Sequence, residues 1–326
     1  MDTLKTIIFV SEKTLEEEQA LYSWALELAT KHQAFLKVVR ILPAVSPGLA
    51  AWLQNSTPMT LQQQQQEKQV AILKPWLQQA EQVKVKVSLD VQFGKLFFKV
   101  IEQVLDLDAD LVVKLADDAE STHHSLFGSQ DLHLLRKCPC AILLHKGNAV
   151  LPYQNVVASI DVDVNNLIDG NDDTFKIELD SQRLNGRILN WAKRLHPVPG
   201  LKVIHAWQSE AEELVYHWNT DWTELDMLKF NEKERELHQK AMDLEVEPYR
   251  QHDPKLQTFL PKGIPQKAIL NWLEENPCDL LVMGTVARVG VAGWFIGNTA
   301  EEILQQVSCS VLAIKPKGFV TPVKVE

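Results

Sequence analysis

One stretch of the chain has the residue types and spacing to hold an anion. Leu280-Leu-Val-Met-Gly284 is an apolar run broken by glycine, a loop with Gly290, Gly293 and Gly297 follows, and an amphipathic pattern resumes after Asn298 and Thr299. Glycines let backbone N–H groups approach a ligand with no Cβ in the way. A loop of this kind feeding a helix gathers unsatisfied N–H groups and the positive end of the helix dipole at one point, where a phosphate is the natural guest. Asn298 and Thr299 add side-chain donors, and Arg288 adds a cation within reach. A structural reading stands beside this one: Thr299 and Glu302 have the spacing of a capping box, with Glu301 and Glu302 answering the dipole from within the helix.

Such a loop needs a strand before it and a helix after it. In the first half, hydrophobic periodicity predicts strands at Thr6–Val10, Phe35–Ile41, Val83–Val91, Asp110–Lys114 and Cys140–Leu144. Helical spacing separates them at Leu15–Thr30, around the Gln62–Gln66 run (read as a solvated helix face), at Lys95–Leu105 and at Leu132–Arg136. The second half repeats the order with strands at Val156–Ile160, Leu201–Trp207, a third before Gly263, Cys278–Met283 and Cys309–Ile314. Helices are expected at Ser181–Leu195 and Thr223–Tyr249. Five pairs of identical residues, Gly94/Gly263, Asp110/Asp279, Gly128/Gly297, Leu135/Leu304 and Cys140/Cys309, all lie 169 positions apart, which marks an internal repeat. Alternating strands and helices imply α/β domains with parallel sheets flanked by helices, over residues 1–148 and 153–326, joined by a short linker from Gly147 to Tyr153.

Composition narrows the function classes. At 326 residues and 45% apolar, the chain can bury large cores. A net charge of −10 with no basic patch argues against nucleic-acid partners, and no apolar run reaches membrane-spanning length. Four cysteines in so long a chain suit a reducing cytoplasm rather than a disulfide framework. Cys138-Pro-Cys140, near His123, His124, His133 and His145, lacks the two-residue gap of zinc pairs and reads as core, so no metal is expected. No nucleophile and base can be paired: His205 follows a strand without a Ser or Cys beside it, so slow hydrolysis is the most an enzymatic reading allows. Trp52, Trp76, Trp218, Trp222 and Trp272 fall on helical patterns and read as core, while Trp294-Phe295 read as packing against the neighbouring domain.

The spacing Gly284, two residues, Ala287, nine residues, Gly297-Asn298 resembles the nucleotide loop of the universal stress protein family, which runs Gly, two residues, Gly, nine residues, Gly and then Ser or Thr. Ala287 and Asn298 depart from that pattern. The two tandem copies, the polar excursion Val164–Leu179 and the ending Lys315-Pro-Lys-Gly-Phe-Val-Thr-Pro322 resemble the tandem E-type members. The resemblance implies two Rossmann-like domains of the adenine nucleotide alpha hydrolase-like kind, each with a five-stranded parallel sheet, paired as single-domain members pair in their dimers. It implies ATP or a related adenine nucleotide in the second half. Asp161 would then meet the adenine end, backbone around His205 and Ala206 would complete the base pocket, and Gly284, Ala287, Arg288, Gly297, Asn298 and Thr299 would line the phosphates.

In the first half Leu115 and Asp118 replace Gly284 and Ala287, the first strand ends in Val10-Ser11 without an acid, and Gly128-Ser129 keep the final pair. A carboxylate about 4 Å from a phosphate costs on the order of 4 kcal/mol at an effective dielectric near 20, so no nucleotide is expected there. The family likeness further implies a role in surviving starvation or DNA-damaging stress. A second function stays open, in which degenerate pockets hold an apolar or acyl-bearing metabolite or a protein partner.

Overall fold

The computed structural model describes residues 3–44, 58–117, 127–164, 183–196, 198–209, 212, 222–285 and 296–324. In the first half the elements run β1 (Thr6–Ser11), α1 (Leu15–His32), β2 (Phe35–Leu42), α2 (Pro58–Gln82), β3 (Val87–Phe93), α3 (Leu96–Leu107), β4 (Leu111–Leu115), α4 (Ser129–Lys137) and β5 (Ala141–His145). The second half runs β6 (Val156–Ser159), α5 (Leu184–Leu195), β7 (Lys202–Ile204), α6 (Glu224–Arg250), β8 (Gln257–Phe259), α7 (Pro265–Glu275), β9 (Leu280–Gly284), α8 (Asn298–Gln306) and β10 (Ser310–Ile314).

All ten strands form one sheet in the order β3-β2-β1-β4-β5-β10-β9-β6-β7-β8. Within each half the strands are parallel, and the halves join through β5 and β10, which pair antiparallel with Val311 opposite Leu144. The carboxyl edges of the two halves therefore point in opposite directions. One face is covered by α1, α2, α5 and α6, where Tyr22, Trp76, Leu189 and Met242 share a single apolar layer. The other is covered by α3, α4, α7 and α8 through Val100, Leu135, Ile269 and Leu304. Tyr153 of the linker is buried in the seam, its hydroxyl 2.8 Å from His145 Nδ1.

The repeated landmarks do the same work in both halves. Asp110 Oδ2 accepts from the N–H groups of Lys5 and Thr6, and Asp279 Oδ2 from those of Gln154 and Asn155, so each acid anchors the entry to its half's first strand. Gly94 (φ 144°) and Gly263 (φ 135°) turn the chain out of the third strand in a conformation that L side chains rarely adopt. Gly128 and Gly297 are both helix N-caps.

Three expectations need correction. The third strand begins at Val87 rather than Val83, because Lys84 turns in the left-handed region (φ 58°) and Val85 N–H still bonds back to Ala80 O. The second strand of the second half is regular only to Ile204, with Trp207 joined to Lys262 by an isolated bridge. Trp222 is not core: it precedes the N-cap Thr223, is 43% exposed, and packs on Phe230.

Candidate functional site

In each half the strand order reverses between the first and fourth strands, β1 and β4 or β6 and β9. Crevices at the carboxyl ends of strands at such a reversal are where open α/β sheets hold ligands. In the second half, Asp161 follows β6 with its side chain 69% exposed. Its backbone is held by Asn185 in the first turn of α5: Asn185 Nδ2 donates to Asp161 O at 2.7 Å, and Asp161 N donates to Asn185 Oδ1 at 3.2 Å. The carboxylate is thereby presented to solvent by a buried amide.

His205 and Ala206 follow β7 and are buried. The His205 ring lies between two partners: Nδ1 is 3.9 Å from Asp161 Oδ1, and Nε2 is 3.0 Å from Nδ1 of His238 on α6. The Trp207 and His238 rings lie 5.5 Å apart with their planes tilted by 32°, so an indole and an imidazole pack together beside His205.

Across the reversal, Gly284 ends β9 and Leu184 of α5 rests on it. A Cβ there would lie 2.7 Å from Leu184 Cδ2, so close packing of the neighbouring helix already accounts for this glycine. Leu184 and Asn185 are consecutive, and the first turn of α5 thus touches both Gly284 and Asp161. The next residue, Thr285, is fully buried. Its carbonyl accepts from Gly297 N–H at 3.2 Å, and its hydroxyl accepts from Lys315 Nζ at 2.5 Å. Lys315 also donates to Leu135 O, the last turn of α4 in the first half, so the root of the glycine loop is tied to the other half. Burial pulls the Lys315 ammonium down to about 8.

The capping box expected from Thr299 and Glu302 does not form. Gly297 is the N-cap, with no side-chain cap, and Asn298 and Thr299 are already helical, so Thr299 stands too far inside to serve. Glu301 pairs instead with Arg136 of α4. By contrast, Thr14 and Thr223 close full capping boxes on α1 and α6. Ala287 and Arg288 lie outside the described residues, as do Gly290, Gly293, Trp294, Phe295, Asp118, His123, His124, Trp52 and Trp218.

The same place in the first half is filled by an ion cluster that sequence reading missed. Lys114, 1% exposed, reaches Asp131 at 2.9 Å, Glu12 at 2.6 Å and Asp117 at 3.2 Å. Burial alone would lower the Lys114 ammonium, and the three carboxylates override it and raise it. Burial pushes the Asp131 carboxyl up to about 6 against the pull of Lys114. Asp131 also accepts from Asp117 N–H, and a Cβ on the N-cap Gly128 would meet Asp117 Cβ at 2.9 Å. Beside it, Ser11 donates to Glu18 at 2.6 Å and accepts from Arg40 at 2.6 Å. Three acids around one ammonium oppose an anion. The visible signal was a lysine inside the apolar strand Leu111-Val-Val-Lys-Leu115. Asn185, His238, Thr285 and Lys315 carried no comparable mark.

Among the described residues, no group of three or more metal-ligating side chains gathers, and no helix is long and apolar enough to cross a membrane. Cys138 and Cys140 are buried.

Comparison with known proteins agrees with this architecture. The model of the Universal stress protein family matches residues 4–146 and again 180–315. Universal stress protein E of Escherichia coli is 27% identical over 244 residues, covering 75% of this chain and 72% of that protein. The Universal stress protein E homolog of Haemophilus influenzae is 23% identical over 96% of this chain and 97% of its own length. Among solved structures, a functionally unknown protein from Pseudomonas aeruginosa superposes with a TM-score of 0.66 at 21% identity, covering 96% of this chain and 93% of its own. A universal stress protein from Archaeoglobus fulgidus does so with a TM-score of 0.59 at 14% identity, covering 95% and 98%. With the family matched once in each half, the chain belongs to the universal stress protein family as a tandem member.

Proposed function

We propose that the second half binds ATP or a related adenine nucleotide in the cytoplasm, as a ligand that sets conformation rather than a substrate to be turned over. The observation that carries this reading is the start of α8: a helix entered through Gly297, without a side-chain cap, beside the strand reversal of β6 and β9. Its first N–H groups have no capping side chain, the arrangement that receives a phosphate. In this reading Asn298, Thr299 and Arg288 attend the phosphates, with the backbone at Gly284 and Ala287 alongside. Asp161 and the backbone at His205 and Ala206 meet the base. Hydrolysis finds no support, since the His205 Nε2 is already paired with His238. The first half, with three carboxylates on Lys114, takes no nucleotide and serves as the structural partner.

A second reading, a non-nucleotide ligand such as an apolar or acyl-bearing metabolite, draws on Leu184 packed against Gly284 and on the Trp207–His238 ring contact, which make the crevice narrower and less polar. Calorimetric titration separates the two. ATP is expected to bind with micromolar affinity, to lose at least tenfold in Gly297→Val, and to weaken in Asp161→Ala. Absence of ATP binding by the parent chain, together with an organic-extractable ligand, would support the second reading.

A further inference from the structure

The chain has four cysteines, and all four lie in two close pairs: Cys138 with Cys140, and Cys278 with Cys309, each with sulfurs 3.5 Å apart. The pairs differ in access. Cys138 and Cys140 are both buried, whereas Cys278 is partly exposed and leads to the buried Cys309. Cys309 directly precedes β10, and Cys278 lies two residues ahead of β9. Ser310 is opposite Leu280 in the parallel register, so the two cysteines sit one step off a direct pair on neighbouring strands. Strands about 4.8 Å apart put their Cα atoms roughly 5–6 Å from each other, within the range a disulfide spans. Only the sulfurs must close, by about 1.5 Å.

We infer that Cys278 and Cys309 form a thiol–disulfide modification site, oxidised by a low-molecular-weight disulfide such as glutathione disulfide. The Cys278 thiolate attacks one sulfur of glutathione disulfide. That S–S bond breaks, and one glutathione leaves as thiolate and takes up a proton. Cys309, deprotonated, then attacks Cys278 Sγ, the mixed disulfide breaks, and the second glutathione leaves. Two electrons pass from the cysteine pair to glutathione, and two protons follow them. The hydrogen bond to Cys309 and burial hold the Cys278 thiol well above the ordinary range, so the exchange is slow and is best read at equilibrium. The cysteines are 31 positions apart, and the segment between them carries Gly284, Thr285, Gly297, Asn298 and Thr299, so the disulfide closes the glycine-loop segment into a ring.

The test uses the full chain equilibrated in glutathione buffers of stepped oxidising ratio, then acid-quenched, alkylated and peptide-mapped. A Cys278–Cys309 cross-linked peptide is expected, with Cys138 and Cys140 still alkylated as free thiols, and a melting temperature raised by several degrees. Cys309→Ser should instead accumulate a glutathione adduct on Cys278. Both thiols still alkylated at the most oxidising ratio, a stable glutathione adduct on Cys278 in the parent chain, or equal cross-linking of Cys138 and Cys140 would each overturn the assignment.

Discussion

Replacing Lys114 by methionine puts into the first half the residue that stands 169 positions later, Met283, and tests what the ion cluster does. Lys114 Nζ touches three carboxylates, of which Asp131 has no exposed surface. Without the ammonium, Asp131 is a buried acid whose remaining partner among the described residues is Asp117 N–H, and its carboxyl, already up to about 6, must take a proton at neutral pH. Breaking a buried pair from one side costs about 3–5 kcal/mol. The double variant Lys114→Met with Asp131→Ala reproduces the second half, where Met283 and Ala300 are buried without charge. Replacing both charges by apolar groups is roughly neutral, so the double variant should regain at least half of that loss. Urea denaturation at pH 7, followed by tryptophan fluorescence and circular dichroism, reads both values. A Lys114→Met loss below about 1 kcal/mol, or a double variant no more stable than the single, would refute the view that the cluster is an internally paired substitute for a ligand site.

Burial holds the His145 imidazole down to about 4, below its ordinary 6.5, so the folded state excludes a proton that the unfolded state accepts. The stability this gives is full above pH 6.5 and lost as pH falls toward 4, by about 3 kcal/mol, and the advantage over His145→Asn should shrink across that window in acid titrations. Lys315 acts at the other end of the scale. It loses its proton near 8 when folded and 10.5 when unfolded, so stability relative to Lys315→Met should rise by about 3 kcal/mol between those pH values in denaturant melts. Gly284→Ala would drive a Cβ to 2.7 Å from Leu184 Cδ2, the movable tip of a side chain. A loss of about 1 kcal/mol is expected, with no further loss in a Leu184→Ala background, as read by a double-mutant cycle.

The fold was largely legible because its signals are local and repeated. Gly94 and Gly263 turn the chain at positive φ, Asp110 and Asp279 anchor strand entries, and Gly128 and Gly297 open helices, so each identical pair marks an identical backbone task. At the strand reversal of the second half, only the places of Asp161 after a strand and of Gly297 at a helix start were legible from residue type and pattern. Asn185 and His238 act through partners far along the chain, and a lone amide or imidazole within a helix gives no sign of which strand end it will face. The Thr299–Glu302 spacing misled because a capping box requires its threonine outside the helix, and Gly297 had already begun it. Val83 and Val85 continued an alternating pattern into a turn that Lys84 makes at positive φ, a conformation that spacing does not encode.

The proposed function rests on a single adenine nucleotide held by the second half. Native mass spectrometry of the freshly purified full chain tests it most directly. One bound nucleotide per chain is expected, at most one after saturation with ATP, and none in Gly297→Val. A parent chain that takes no ATP, or that takes two, would contradict it.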